Sequence, residues 1–375
     1  MPANVTVVAN DVGAVGGMER VLGALILGLA ERGHEVTVVS REYALPPHPR
    51  VRFRHVPGPR RPFPIAYPWF MLLGTLLLGR WRRGVVISTG AILLAPVDVL
   101  TVHYLHQVGP TNSDREMLAA RANAWLTRRL KPALERVSFR AAKAKRYVCV
   151  SEGVAEEVRR HYPELAERVM TIHNGVDTRA FKPGLRATDA AALGARLSLP
   201  GGGLVAAFVG GEWDRKGLGP TLEALAQAPG WSLLVAGAGD EQRYRALAAT
   251  LGVEDSVRWL GVVQDVAPVY ELADAFVFPS SYETFSLVTY EAAASGLAIV
   301  AAPVSGVREL IVDGENGFLV TRDAAQIAQR LRQLSKDPQL RSRLGAAARE
   351  AVQRFGWDAM VERYAVLIEQ LSDAV

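Results

Sequence analysis

The feature that most constrains this chain is an alternation of two kinds of segment that stops once and then restarts. Short apolar, β-branched runs lie near residues 5–9, 35–40, 51–56, 84–88, 97–103, 146–150 and 169–173. Longer stretches with helical spacing separate them, near 19–32, 113–143 (with Pro132 inside) and 152–161. Strands buried on both faces read as unbroken apolar runs, and their alternation with helices is the pattern of parallel βαβ units. A break follows at 179–203, with Lys182-Pro183-Gly184 and Leu199-Pro200-Gly201-Gly202-Gly203 in it. The alternation then resumes. Strands are expected near 204–209, 232–236, 257–260, 275–278, 298–301 and 317–320. Helices are expected near 218–227, 241–251, 266–272, 286–295, 324–335 and 338–354, with a last amphipathic helix from about 357 to 371. The expected fold class is therefore α/β, with two doubly wound Rossmann-like domains of similar size. A length of 375 residues suits two such domains. Sheets of this kind bind ligands at the carboxyl ends of their strands, so a central cleft faced by both domains is the expected site.

Composition narrows the class further. Hydrophobic residues make up 49% and charged residues 22%, which excludes a wholly disordered or fibrous chain. The single cysteine, Cys149, lies in the apolar run 147–150 and reads as a buried thiol in a reducing compartment. The start, Met1-Pro2-Ala3-Asn4, lacks the basic and apolar regions of a signal peptide, so a cytoplasmic location is expected.

The net charge of +5 hides an asymmetry. Residues 1–183 hold 26 Lys+Arg against 15 Asp+Glu, and residues 184–375 hold 17 against 23. The first half is thus +11 and the second −6, which suggests that one half meets an anionic partner. No nucleic-acid module accompanies the arginines, so nucleic acid is the weaker reading and an anionic membrane the stronger, with a merely solvated charged face as the plain alternative. The most hydrophobic segment, 65–79, is flanked by Arg60, Arg61, Arg80, Arg82 and Arg83. It is too short to span a bilayer easily. Two readings fit it: a helix buried on the first sheet, or a segment dipping into a membrane interface with Tyr67, Trp69 and Trp81 at headgroup level.

The most informative stretch is 278–296, a strand end, a loop and a helix stopped by Gly296. Glu283 lies in the loop and Glu291 in the helix, among Tyr290 and alanines whose composition says buried. A buried carboxylate needs donors, and sugar hydroxyls are suitable ones. The backbone N–H groups of Phe285, Ser286 and Leu287 mark a helix start, where phosphate binds readily. The plainer alternative is a solvated Glu283 and a Glu291 paired with a core arginine. Upstream, Arg215 and Lys216 follow a glycine turn at 210–211, either as phosphate-gripping cations or as a solvated turn. Gly16 and Gly17 open a helix without the spacing of a dinucleotide fingerprint, so they read either as a ligand-approaching loop or as a tight turn. His103 and His106 end a strand, where they read either as residues lining the expected cleft or as structural histidines. No metal-ligand spacing and no Ser–His–Asp arrangement occurs, so no metal site is expected.

Glu283 and Glu291, seven residues apart after a Pro-Ser loop, are followed by Gly306-Val307-Arg308-Glu309-Leu310 and Asp313-Gly314-Glu315-Asn316-Gly317. With Gly16-Gly17-Met18-Glu19-Arg20, Ser151-Glu152-Gly153, His173-Asn174-Gly175-Val176-Asp177 and Phe355-Gly356-Trp357-Asp358, this set resembles the retaining glycosyltransferases of family four over essentially the whole chain. The resemblance implies a GT-B fold. It places an acceptor-binding domain at 1–182, completed by a C-terminal helix at 356–375 that crosses back, and a nucleotide-sugar domain at 183–355. It implies that Glu291 binds the nucleotide ribose, that Glu283 contacts the transferred sugar, that Arg215 and Lys216 hold the diphosphate, and that His103 lies beside the sugar. The loop at Gly16 and Gly17 would close over the donor phosphate. No cofactor is implied beyond a nucleotide diphosphate sugar as co-substrate. The reaction implied is metal-independent and retains the anomeric configuration. Two departures stand out: Gly211 occupies a position where many relatives carry arginine, and Thr284 and Ser286 replace glycines beside Glu283.

The expected partners are a nucleotide sugar, a glycan or lipid-linked acceptor and an anionic membrane surface at the inner face of the plasma membrane. The competing expectations are an epimerase or hydrolase on the same fold, and a non-catalytic nucleotide-sugar-binding scaffold.

Overall fold

The computed structural model describes residues 2–13, 16–105, 118–199 and 203–373. They form two compact units, one of Met1–Gly175 with Trp357–Val375 and one of Val176–Gly356.

The first unit is built on seven parallel strands in the order β5-β3-β1-β6-β7-β8-β9. These are β1 (Asn4–Val8), β3 (Glu35–Ser40), β5 (Val51–His55), β6 (Val85–Thr89), β7 (Val99–Val102), β8 (Arg146–Cys149) and β9 (Val169–Thr171). Two short strands, β2 (Asp11–Val12) and β4 (Glu42–Tyr43), pair beside them. Residues 36–40 of β3 and all of β7 are buried, because helices cover both faces. The β5 strand at the edge is exposed from Arg52 to His55, and its charges discourage pairing with another chain. The helices are Gly17–Glu31, Phe63–Trp81, Leu118–Ala142 and Glu152–His161. Cys149 is fully buried, and desolvation raises its thiol pKa to about 12.

The C-terminal helix, Trp357–Ser372, completes this unit. It packs on Gly17–Glu31 at a glycine: a Cβ added to Gly28 would lie 2.7 Å from Val361 Cγ2. Arg32 donates to the Asp358 carbonyl at 3.2 Å and pairs with Glu362 at 3.4 Å.

The second unit holds six parallel strands, β10 (Leu204–Val209), β11 (Trp231–Ala236), β12 (Val257–Gly261), β13 (Ala275–Phe278), β14 (Ala298–Ala301) and β15 (Phe318–Leu319). Their order is β12-β11-β10-β13-β14-β15. The helices Leu218–Gln227 and Ala324–Lys336 fall within a residue or so of their expected limits, because each has a clean apolar stripe and a sharp stop.

The stretch 179–203 is not simply a linker. It contains a helix, Ala187–Arg196, whose Ala190 is buried and whose Gly194 faces Leu272. Phe181 meets the Tyr270 ring edge-on at 5.9 Å, and Arg349 donates to the Phe181 carbonyl. These contacts draw 176–182 into the second unit, so the chain crosses at Gly175 rather than after Lys182. On this division the first unit carries 25 basic and 18 acidic residues and the second 18 and 20. The charge asymmetry keeps its sign but softens to +7 and −2, because the C-terminal helix brings acids back to the basic unit.

Gly28→Val should lower the stability of the first unit by about 1–3 kcal/mol through overpacking. Gly79→Ala, whose added methyl meets nothing within 4 Å, should not be destabilising. Urea denaturation of both variants checks the pair.

Candidate active site

In the second unit the chain runs from β10 outward to β12, then returns to β13 on the other side of β10. The carboxyl ends of β10 and β13 are therefore the point where strand order reverses, which is where doubly wound sheets bind ligands. Two loops meet there.

The first loop follows Val209. Gly210 has φ 131°, and a Cβ on it would lie 2.1 Å from Lys216 Nζ, so only glycine fits. Glu212 takes the left-handed region (φ 51°), and one helical turn, Trp213–Lys216, follows. Trp213 anchors the turn, donating from Nε1 to the Gly210 carbonyl at 2.9 Å and packing on Tyr244 and Trp259.

The second loop, 279–286, is tied to the first by Arg215. Its Nη1 donates to Glu283 Oε1 at 2.9 Å and to the Tyr282 carbonyl, and its Nη2 donates to Glu212 Oε2 at 2.7 Å. Ser280 Oγ donates to the same Glu283 oxygen at 3.1 Å. The Arg215 carbonyl accepts from Ser281 N and Arg322 Nη1. Burial works against the Arg215 charge, but Glu212 and Glu283 more than offset it and hold its pKa above the usual arginine range. Glu283 is held rather than solvated, with 13% of its side chain exposed.

Lys216 differs from its neighbour. No carboxylate lies within ion-pair distance of it among the described residues, and its ammonium sits 5.3 Å from the centre of the Phe278 ring. Desolvation pushes its pKa below the usual lysine range, against the pull of Glu283, Glu212 and Glu291. It is a half-buried cation without a direct counter-ion.

Glu291 is 3% exposed, and Tyr270 donates its hydroxyl to Oε2 at 3.2 Å. The helix that carries it, Leu287–Ala294, starts from Ser286, which has φ 69°. That conformation favours glycine, so the serine departs from the family pattern in residue type while taking a backbone conformation that glycine adopts readily. Ser286 Oγ bonds the Thr289 hydroxyl at 2.8 Å and does not cap the helix amides, which leaves the amides of the first turn without a side-chain cap. Phe285 turns its ring inward, stacked on Tyr290 at 4.1 Å, so it presents backbone only. Thus Glu283, Arg215, Lys216, Glu291 and the start at Phe285, Ser286 and Leu287 belong to one cluster. The sequence reading missed Glu212, Ser280 and Tyr270, since each works through a partner distant in sequence or across a turn.

The remaining expected residues lie in the first unit. His103 follows β7 and lines a cavity of about 90 Å³ with Asn10, Met18, Tyr67 and Glu135. Gly16 and Gly17 immediately precede Met18, so their loop borders this cavity. His103 Nε2 lies 3.5 Å from Thr101 Oγ1, and desolvation lowers its pKa to about 4, which keeps it neutral near pH 7. Glu135, a buried carboxylate not anticipated from sequence, accepts from the Tyr162 hydroxyl at 3.1 Å. His106 lies outside the described residues. Asn10, Tyr67 and Tyr104 also line a wider cavity, about 550 Å³, with Arg41, Arg60 and Arg61 on its wall. At the opposite, amino ends of the strands, Lys143, Lys145, Arg146 and Arg168 surround another basic cavity. Among the described residues no group of three or more His, Cys, Asp or Glu is arranged to hold a metal.

Comparison with known proteins bears on both units. Residues 15–180 match the model described as Glycosyltransferase Family 4, and residues 194–351 the model described as Glycosyl transferases group 1. The chain is 30% identical over 317 residues to an alpha-maltose-1-phosphate synthase of Mycolicibacterium smegmatis, covering 78% of each chain. It is 35% identical over 236 residues to a D-inositol 3-phosphate glycosyltransferase of Streptomyces bingchenggensis, covering 57% of this chain. The matches span about half the length of the inositol-phosphate relatives. Among solved structures, WaaG, a glycosyltransferase involved in lipopolysaccharide biosynthesis, superposes with a TM-score of 0.77 at 20% identity, covering 97% of this chain and 99% of that one. That likeness concerns the fold.

A folded-state pKa below the unfolded one makes His103 contribute stability that is full above about pH 6.5 and lost as pH falls toward 4. His103→Gln should therefore flatten the fall in melting temperature between pH 6.5 and 4, which thermal melts across that range will read.

Proposed function

The chain belongs to the glycosyltransferases of family four, with the GT-B fold, and on that premise we propose that it moves a sugar from a nucleotide diphosphate donor to an acceptor hydroxyl with retention of configuration. The observation that carries this reading is Lys216, a half-buried ammonium without an ion-pair partner beside the Arg215–Glu283 pair. A donor diphosphate is the counter-ion that such a cation lacks.

Each residue then has a role. Lys216 and Arg215 neutralise charge that builds on the leaving diphosphate, and preorganised cations stabilise that charge most in the transition state. The amides at Phe285, Ser286 and Leu287 add a helix start for the same phosphates. Glu291, buried and held by Tyr270, accepts from ribose hydroxyls; Glu283, fixed by Arg215 and Ser280, accepts from hydroxyls of the transferred sugar. In the step, the bond from the anomeric carbon to the phosphate oxygen breaks, and the acceptor oxygen bonds that carbon on the same face. The acceptor's proton passes to the departing phosphate oxygen, so neither a carboxylate nucleophile nor a metal is needed. Neutral His103 is available as a hydrogen-bond partner for the sugar, next to the Gly16–Gly17 loop. The donor is a co-substrate, and no further cofactor is called for.

The acceptor belongs to the first unit. Its wide cavity carries Arg41, Arg60, Arg61 and aromatic rings, which suits a glycan bearing phosphate. The relatives include a D-inositol 3-phosphate glycosyltransferase and an alpha-maltose-1-phosphate synthase, and WaaG is involved in lipopolysaccharide biosynthesis. We read the acceptor as a lipid-linked or cell-envelope glycan, and the protein as peripheral to the inner face of the plasma membrane.

Arg215→Ala and Lys216→Ala should each lower kcat at least a hundredfold, and Glu291→Ala should abolish nucleotide release from the donor. A panel of UDP-, GDP- and ADP-sugars assayed by released nucleotide tests this, and full activity in Glu291→Ala would overturn the reading. Chelator should leave the rate unchanged. Product with inverted anomeric configuration by NMR would refute retention.

A further inference from the structure

The helix Phe63–Trp81 has two faces of the same chemistry. Ala66, Phe70, Met71, Gly74 and Leu78 are buried against the unit. Ile65, Trp69, Leu72 and Leu76 are 56%, 50%, 65% and 73% exposed. These four recur at spacings of four, three and four residues, which places them on one stripe. Single exposed apolar side chains are ordinary, but an unbroken ridge on one helix marks a contact surface.

The surroundings of the ridge name the partner. The helix itself contains no acidic residue. Arg60 and Arg61 precede it, and Arg80, Arg82 and Arg83 lie at and beyond its end. Trp69 Nε1 donates to the Pro57 carbonyl at 3.0 Å, so the segment leading to Arg60 and Arg61 lies against the ridge. Arg41, Arg60 and Arg61 then line the wide cavity at the head of the helix, with Phe63 and Tyr67. Arg41 pairs with Asp11 and Arg60 with Glu42, whereas Arg61 has no acidic partner among the described residues. No described helix is long and apolar enough to cross a membrane, which leaves contact in the plane of the surface as the mode open to this one.

We propose that the Phe63–Trp81 helix docks its Ile65–Trp69–Leu72–Leu76 ridge into the interface of an anionic bilayer, and that Arg60 and Arg61 at its head meet anionic headgroups, so that the phosphate of a lipid-linked acceptor enters the cavity beside them from the bilayer. An apolar ridge between basic ends has the chemistry of an in-plane interfacial helix, and anionic headgroups supply the missing negative charge. The proposal deepens the membrane reading given above and rests on it. It also gives that reading a direction, since a lipid phosphate held in this cavity would lie next to the cavity that His103 lines.

Flotation with vesicles of phosphatidylcholine, with and without phosphatidylglycerol, tests it on the whole chain. The parent should bind the anionic vesicles at low salt, and salt should weaken the binding. Leu72→Glu/Leu76→Glu should lower vesicle binding at least tenfold, with an unchanged melting temperature, because both side chains are exposed. Arg60→Gln/Arg61→Gln should lose the preference for anionic vesicles. Arg146→Gln, at the opposite ends of the strands, should bind like the parent. Undiminished binding by Leu72→Glu/Leu76→Glu, or equal loss in Arg146→Gln, overturns the proposal. So does a parent dimer in light scattering that these glutamates split without any change in vesicle binding, which would make the ridge a self-association surface. Nucleotide release with a water-soluble acceptor, measured on the ridge variant, separates the two readings: loss of docking with release intact speaks only to the membrane face.

Discussion

The guanidinium of Arg215 is the constraint on which the second unit's chemistry depends. Two loops from neighbouring strands, each with its own irregular backbone, must hold one carboxylate and two cations in place before any ligand arrives. Arg215 does this with both ends of the residue: its side chain reaches Glu283, the Tyr282 carbonyl and Glu212, and its backbone carbonyl receives Ser281 and Arg322. The result leaves Lys216 as the cation whose charge is not already matched by a direct ion pair. The division of labour is physical. A guanidinium with five donors can set the geometry of the loops and still carry positive charge at the site, and an ammonium without a direct pair adds charge that nothing adjacent matches.

Much of the architecture was legible in the chain because strands buried on both faces write themselves as apolar runs. β11 and β13 are such runs, and the helices between them have single stripes. The helix at Ala187–Arg196 was not legible, since its alanines and single buried Ala190 give a weak stripe inside a Gly- and Pro-rich stretch. For the same reason the boundary between the units lay earlier than the punctuation suggested. Periodicity reports what a segment buries, and a segment that buries little reports little.

The candidate site divides in the same way. Glu283, Arg215 and Lys216 stood out as charges beside Pro, Ser and Gly, and Glu291 as a carboxylate among helix alanines, while the family resemblance supplied their roles. Tyr270 and Ser280 were not, because their work is to orient another residue, and nothing in their local sequence says so. Ser286 shows the converse. Its type departs from the family pattern, while its backbone takes the left-handed conformation that glycine would take. In the first unit, the apolar segment at 65–79 admitted both a buried and an interfacial reading, and the helix it forms has one buried apolar face and one exposed apolar face.

The route of the chain through the two units has a consequence for how the molecule is made. Val176 donates to the Phe355 carbonyl at 2.9 Å and bridges to Gly356, so the outward and return passages lie side by side. The second unit is an uninterrupted stretch and has all its parts once residue 356 has been synthesised. The first is different. Its seven strands leave the ribosome before the second unit, but the surface around Gly28 stays uncovered until Trp357–Ser372, with Val361, emerges. A nascent chain halted after the second unit would thus carry one finished unit and one with an open apolar seam, which Trp357–Ser372 closes only after the whole of the second unit has been made.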